Sequence, residues 1–234
     1  MSNVLKSIQK LVILLCATSS LAITASHAVE EEQANILLII TDDQAIDTIH
    51  ALGNEAIDTP NIDRLAHSGM AFTHVFNQGS WSGAVCGPSR QMINTGRNLH
   101  FTGFSPKSNK TKHPLMGETF RQAGYETFIT GKWHVGEDAL KRSFTIGRAV
   151  HEQGMAPIRK GGQWKPWLTD FGESLKWKKE QKSQHTSEAF ADAAISYIET
   201  KEERNSNPFL MYVAFTAPHD PRQSPQSYVD KYPA

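Results

Sequence analysis

Three short apolar runs punctuate the chain, and each ends in polar residues with chemical capability. The first, Asn35-Ile36-Leu37-Leu38-Ile39-Ile40-Thr41, is continuous rather than alternating, the pattern of a strand covered on both faces in a parallel sheet, and it ends in Asp42-Asp43. Thr59-Pro60-Asn61-Ile62-Asp63-Arg64-Leu65-Ala66 reads as a capped helix start with proline near the first turn, stopping at Gly69 before a strand-like stretch from Ala71 to Phe76. The pattern then repeats. Leu115 to Ala123 is amphipathic and stops at Gly124, and Tyr125-Glu126-Thr127-Phe128-Ile129-Thr130 predicts a strand that exits through Gly131-Lys132-Trp133-His134. In a third unit, Ser187 to Glu199 carries alanines and apolar residues at helical spacing, and Pro208 to Phe215 is a strand leading into Ala217-Pro218-His219-Asp220. Alternating strands and helices predict an α/β fold with a central, mostly parallel sheet.

Between the second and third units, residues 136–184 lack periodic apolar positions and are rich in Lys, Gly and Trp, which predicts a loop insertion. Arg159, Lys160, Trp164, Lys165, Trp167, Lys176, Trp177, Lys178 and Lys179 could form a basic, aromatic rim over a pocket suited to a charged sugar. The competing reading is a solvated loop whose tryptophans pin it to the core.

Composition narrows the class. With 24 basic and 24 acidic residues the chain has no global polyanion-binding signature, so no nucleic-acid partner is expected and any anionic substrate must be held locally. Residues 1–28 have the make-up of an export leader: Lys6 and Lys10, the apolar run Leu11 to Ala17, and the small-residue cleavage site Ser26-His27-Ala28. Thr18, Ser19, Ser20 and Thr24 interrupt the apolar stretch, which favours a cleaved signal over a membrane anchor. A periplasmic or secreted protein spanning 29–234, without stable membrane insertion, is the expectation. Of the two cysteines, Cys16 leaves with the leader and Cys86 remains without a disulfide partner. Taken alone, such a thiol reads as a small buried apolar residue.

Chemistry gathers at the strand ends, where open α/β sheets bind their ligands. Adjacent carboxylates repel unless a cation sits between them, so Asp42-Asp43 reads either as a site for a hard divalent ion, Ca2+ or Mg2+, or as a helix cap beside a solvated aspartate. Cys86-Gly87-Pro88-Ser89-Arg90 reads as the mouth of a helix, with Pro88 in the first turn, an end at Thr95-Gly96, and initial amide groups suited to an anion. Arg90, one turn on from Cys86, falls on the same helix face. Lys132 and His134, two apart, share a side of an extended segment and could face one bound anion. Individually, Lys132, His134 and His219 read as ordinary surface or structural residues.

The pentapeptide and its continuation through Gln91-Met92-Ile93-Asn94-Thr95-Gly96 resemble the maturation motif of type I sulfatases in the alkaline phosphatase superfamily, and the likeness runs from Asn35 to Pro233. The resemblance implies an alkaline-phosphatase-like three-layer fold and a formylglycine made from Cys86 by a formylglycine-generating enzyme or an anaerobic maturase. It implies Ca2+ bound by Asp42, Asp43 and the converted Cys86, with Arg90 positioning that residue. Lys132 and His219 would contact the sulfate and the bridging oxygen, and His134 would orient the aldehyde hydrate. One hydroxyl of the hydrate would attack sulfur, and loss of sulfate would restore the aldehyde. A sulfated carbohydrate is the expected substrate. A phosphonate or phosphodiester hydrolase of the same superfamily is one alternative. The family normally continues further and supplies more metal ligands, so the resemblance also implies a truncated catalytic domain, with a fragment that at most binds sulfated glycans as the other alternative.

Overall fold

The computed structural model describes residues 33–80, 85–103, 111–172, 177–204 and 207–232. The expected leader lies outside these residues, as do Lys176 and Pro233. Six strands form one sheet: β1 (Ile36–Asp42), β2 (Glu126–Lys132), β3 (Ile146–His151), β4 (Trp167–Phe171), β5 (Lys178–Gln181) and β6 (Phe209–Pro218). Their order is β1-β6-β2-β3-β4-β5. Neighbours from β1 to β3 run parallel, while the β3–β4 and β4–β5 pairs are antiparallel, so the sheet is mostly parallel as the alternating pattern predicts.

The continuous apolar runs of β2 and β6 have a simple cause. Successive strand residues point to opposite faces, and both faces are covered. Ile129, Tyr212 and Ala214 face a core with Leu115, Ala139 and Leu140, supplied around α3 (Met116–Gln122) and α4 (Glu137–Ser143). Their neighbours Phe128, Met211 and Val213 face Ala194 and Tyr197 of α5 (Thr186–Glu199) on the other side. Helices on both faces of one sheet make three layers. Two further helices precede these, α1 (Pro60–Ser68), which has proline at its first turn, and α2 (Cys86–Thr95).

Three expectations need correction. The first strand is not covered on both faces: β1 is an edge strand, and Leu38 and Ile40 pack on the core while Leu37 and Ile39 are 51% and 49% exposed. Residues 71–76 form no strand. Phe72, Val75 and Phe76 are exposed, and β-forming side chains make a strand only where a neighbour accepts their backbone hydrogen bonds. The stretch 136–184 is not simply irregular, because it contains α4 and the three strands β3, β4 and β5. Its strands escaped the apolar-run criterion because β4 mixes Thr and Asp among its apolar positions and β5, Lys-Lys-Glu-Gln, is a polar edge.

Candidate active site

Irregularities in the strand pairing aim the candidate residues. On β3, an extra residue shifts the register between the Ile129–Gly147 and Gly131–Val150 pairs, with Ala149 in the left-handed region at φ 51°, and the shift brings Lys132 opposite His151. Between β1 and β6 the register also jumps, from Ile40–Ala214 to Asp42–Pro218. Beyond Asp42 the chain turns through Asp43 at φ 61°, a conformation aspartate tolerates better than most residues.

These ends meet α2. Cys86 is its first residue and is buried; the helix ends as expected, with Gly96 at φ 61° donating its N–H to the Met92 carbonyl at 2.9 Å. Ligand atoms of Asp42, Cys86 and His219 all lie within 4.8 Å of one another. His219 Nε2 is 3.5 Å from an Asp43 carboxylate oxygen, which joins Asp43 to the group, and His219 Nδ1 donates to the Asp220 carbonyl at 2.8 Å.

Two buried cations face the buried carboxylate. The Lys132 ammonium is fully enclosed and donates to Asp42, and an Arg90 nitrogen lies 3.7 Å from the same carboxylate. Arg90 also donates to the Lys132 carbonyl and approaches the Tyr212 hydroxyl at 3.5 Å. It therefore ties α2 to the end of β2 and to the middle of β6, through contacts with Lys132, Asp42 and Tyr212. Lys132 and Arg90 thus balance the charges of Asp42 and the neighbouring Asp43, and paired in this way the carboxylates can stand close together in a place with little water. Asp42 caps no helix: the short turn that follows has Ala45 at its cap position and no side-chain cap bond.

Burial, with Asp42 and Asp43 adding to it, pushes the Cys86 thiol up, and Lys132 offsets only part of the shift. At neutral pH the unmodified side chain is thus held as a thiol, a poor nucleophile.

His134 departs from the expectation of an extended pair with Lys132. β2 ends at Lys132, and His134 sits in the left-handed region at φ 57°, so the two-residue alternation does not extend to it. Its amide donates to the Glu152 carbonyl at 3.2 Å, and its Nδ1 is buried without a partner among the described residues. Burial, then Lys132 and Arg90, hold the imidazole down at about 4, so it is neutral at pH 7. Gly154 lies against the ring; a Cβ there would be 2.5 Å from His134 Cε1.

The expected rim divides. Lys160, Trp167 and Lys179 border one cavity of about 340 Å3. Trp177 instead stacks on Phe171 at 4.5 Å, Trp164 meets the His185 ring edge-on at 5.0 Å, and Lys178 pairs with Glu180 at 2.5 Å. Sequence reasoning missed His151, Gly154 and Tyr212. No local motif marks them: His151 and Tyr212 sit in strands, and Gly154 is defined only by the ring packed on it.

Fold and site together define an α/β protein with a cluster of charged and ligating side chains at the carboxyl end of a mostly parallel sheet. The sulfatase family model matches residues 34–234, and the chain belongs to that family. It is 30% identical to an N-acetylglucosamine-6-O-sulfatase of Bacteroides thetaiotaomicron over 93% of this chain and 36% of that protein. It is 27% identical to an arylsulfatase of Klebsiella aerogenes over 92% of this chain and 49% of that one. The chain thus spans about half the length, or less, of these curated relatives. Among solved structures, one in complex with its substrate D-glucosamine-2-N,6-O-disulfate superposes with a TM-score of 0.70 at 25% identity, covering 86% of this chain and 38% of that one. Another, in complex with k-i-k-neocarrahexaose, gives a TM-score of 0.67 at 26% identity over 86% and 49% of the two chains. An alkaline phosphatase superfamily protein from Vibrio parahaemolyticus shares the fold, with a TM-score of 0.56 at 18% identity over 87% of this chain and 45% of that one.

Proposed function

We propose that this protein hydrolyses sulfate esters on a carbohydrate, with residue 86 acting as nucleophile after oxidation of its thiol to an aldehyde by a converting enzyme. The carrying observation is the convergence of Asp42, Cys86 and His219 within 4.8 Å, beside the enclosed Lys132. With burial holding the thiol un-ionised, unmodified Cys86 would be a poor nucleophile, and the reading assigns the attack to the converted side chain.

The donor set fits a hard cation in part. Asp42 and Asp43 supply carboxylate oxygens, and an oxygen-bearing residue 86 would suit Ca2+ better than the soft sulfur does. Ca2+ takes about six to eight oxygen ligands, so these residues account for only part of a shell. When bound, the ion would stabilise negative charge on the transferring group. Lys132 binds a sulfate oxygen as a compact positive charge, and His219 reaches the bridging oxygen. Neutral His134 can accept a proton from residue 86, and Arg90 positions the site by holding the Lys132 backbone and Asp42. One solved relative is in complex with D-glucosamine-2-N,6-O-disulfate and the other with k-i-k-neocarrahexaose, which supports the carbohydrate class. An export leader at residues 1–28 would place the reaction in the periplasm or outside the cell, where such polymers are met. Among the described residues no helix is long and apolar enough to cross a membrane.

Sulfate release from sulfated oligosaccharides, measured with protein produced beside a converting enzyme, tests this reading. Activity should require residue 86 and fall by at least about a thousandfold in Cys86→Ala. Activity retained by Cys86→Ala, or a preference for an aryl phosphodiester over an aryl sulfate, would contradict it.

A further inference from the structure

Beside the candidate centre lies the cavity of about 340 Å3 bordered by His151, Glu152, Gln153, Lys160, Trp167 and Lys179, among others. Its volume sits at the small end of the range for ligand pockets, enough for one pyranose ring and its substituents. The two sites share a wall. Glu152, which borders the cavity, receives the His134 amide through its carbonyl at 3.2 Å, and Gly154, two residues on, carries the His134 ring. His151 pairs in register with Lys132.

The far side is fixed to the same centre. Gln163 Oε1 accepts from the Thr186 and Thr216 hydroxyls at 2.6 and 2.8 Å, and the Gln163 amide donates to the Gln223 side chain at 2.8 Å. Thr216 and Gln223 bracket His219, so the segment from Pro157 to Pro166 is anchored to the stretch that carries this histidine. The cavity wall from Pro157 to Pro166 is thus held in place beforehand, with little ordering cost to a ligand.

The lining is selective. Trp167 is half exposed and offers an apolar indole surface for a sugar ring. Lys160 and Lys179 supply two ammonium groups against one carboxylate, and that carboxylate is already engaged, by the Thr169 hydroxyl at 2.5 Å and by Lys179 at 3.4 Å. The balance is positive.

We infer that this cavity receives the sugar next to the one bearing the scissile sulfate, and that this neighbouring unit is itself anionic. The inference rests on the sulfated-carbohydrate reading of the adjoining centre and adds to it a preference for chains over single sugars. Calorimetric titration of the protein with sulfated monosaccharides, disaccharides and tetrasaccharides from heparin, chondroitin sulfate and carrageenan tests it. In at least one series affinity should rise about tenfold or more from monosaccharide to longer chain. Trp167→Ala, and separately Lys160→Ala with Lys179→Ala, should each remove most of that gain and leave monosaccharide binding within about twofold. No gain with length in any series, or a gain that survives both variants, overturns the subsite while the adjoining centre stands. Monosaccharide binding undiminished in His219→Ala would instead overturn the reading of the centre itself, and the subsite with it.

Discussion

Single residues decide whether the charges at the strand ends can coexist. Asp42 is buried between Lys132 and Arg90, and Arg90 also donates to the Lys132 carbonyl, so removing it strips a buried carbonyl of its donor and the carboxylate of one of its two cations. Arg90→Met is therefore expected to cost about 3 kcal/mol of stability by urea unfolding, and Arg90→Lys to recover only part because it cannot hold the Lys132 carbonyl and Asp42 together. A loss below about 1 kcal/mol would mean that the cluster is well hydrated. Gly154→Ala places a Cβ 2.5 Å from the His134 ring and forces it from its pocket. The imidazole, now held at about 4 largely by burial, should titrate closer to the ordinary histidine value, seen as a rise in its midpoint in an NMR titration. An unchanged midpoint would show that the ring is not seated by Gly154. Much at this scale was legible in the sequence. Asp42, Cys86, Arg90, Lys132 and His219 come together as a motif ordered along the chain suggested, whereas Gly154 and His151 act through neighbours that only the folded β3 segment supplies.

Elements bring those residues into register. β2 crosses β6 so closely at Gly131, φ 86°, that a Cβ would lie 1.9 Å from the Ala214 carbonyl oxygen. Gly131→Ala should separate the two central strands just before Lys132 and cost several kcal/mol, more than Gly124→Ala, where the positive φ is strained but the space is open. Equal unfolding midpoints for the two variants would contradict this account of the crossing. The central strands could be recognised because both of their faces are covered. The edge strands were harder: β1 looked like a central strand but leaves Leu37 and Ile39 exposed, and β5 is so polar that it looked like loop. Sequence pattern reports which faces a residue could bury, and sheet order, which decides what is actually covered, arises from long-range pairing.

For the whole molecule, the consequence is a pH-dependent stability that originates beside the site. His151 is buried, with Nε2 bonded to the Met155 carbonyl at 3.2 Å, and burial, the largest cause, lowers it to about 4. The unfolded chain binds this proton below about pH 6.5 but the folded chain does not until about pH 4, so stability is complete above 6.5 and is lost as pH falls. Between pH 6.5 and 5 the loss from this residue is about 1.6 kcal/mol, and His151→Gln should remove that share of the slope in urea unfolding, leaving a similar share from His134. A flat wild-type profile would contradict the burial of a neutral imidazole. An α/β fold with a mostly parallel sheet was foreseeable from the alternation of elements, and three layers from the family resemblance, while the strands within 136–184 that form the neighbouring cavity were not. The central claim concerns residue 86, and mass spectrometry of the peptide spanning it, in protein isolated from its own host and treated with an aldehyde-trapping hydrazide, tests that claim most directly. An aldehyde at position 86 is the predicted result; an intact thiol throughout the sample would contradict it.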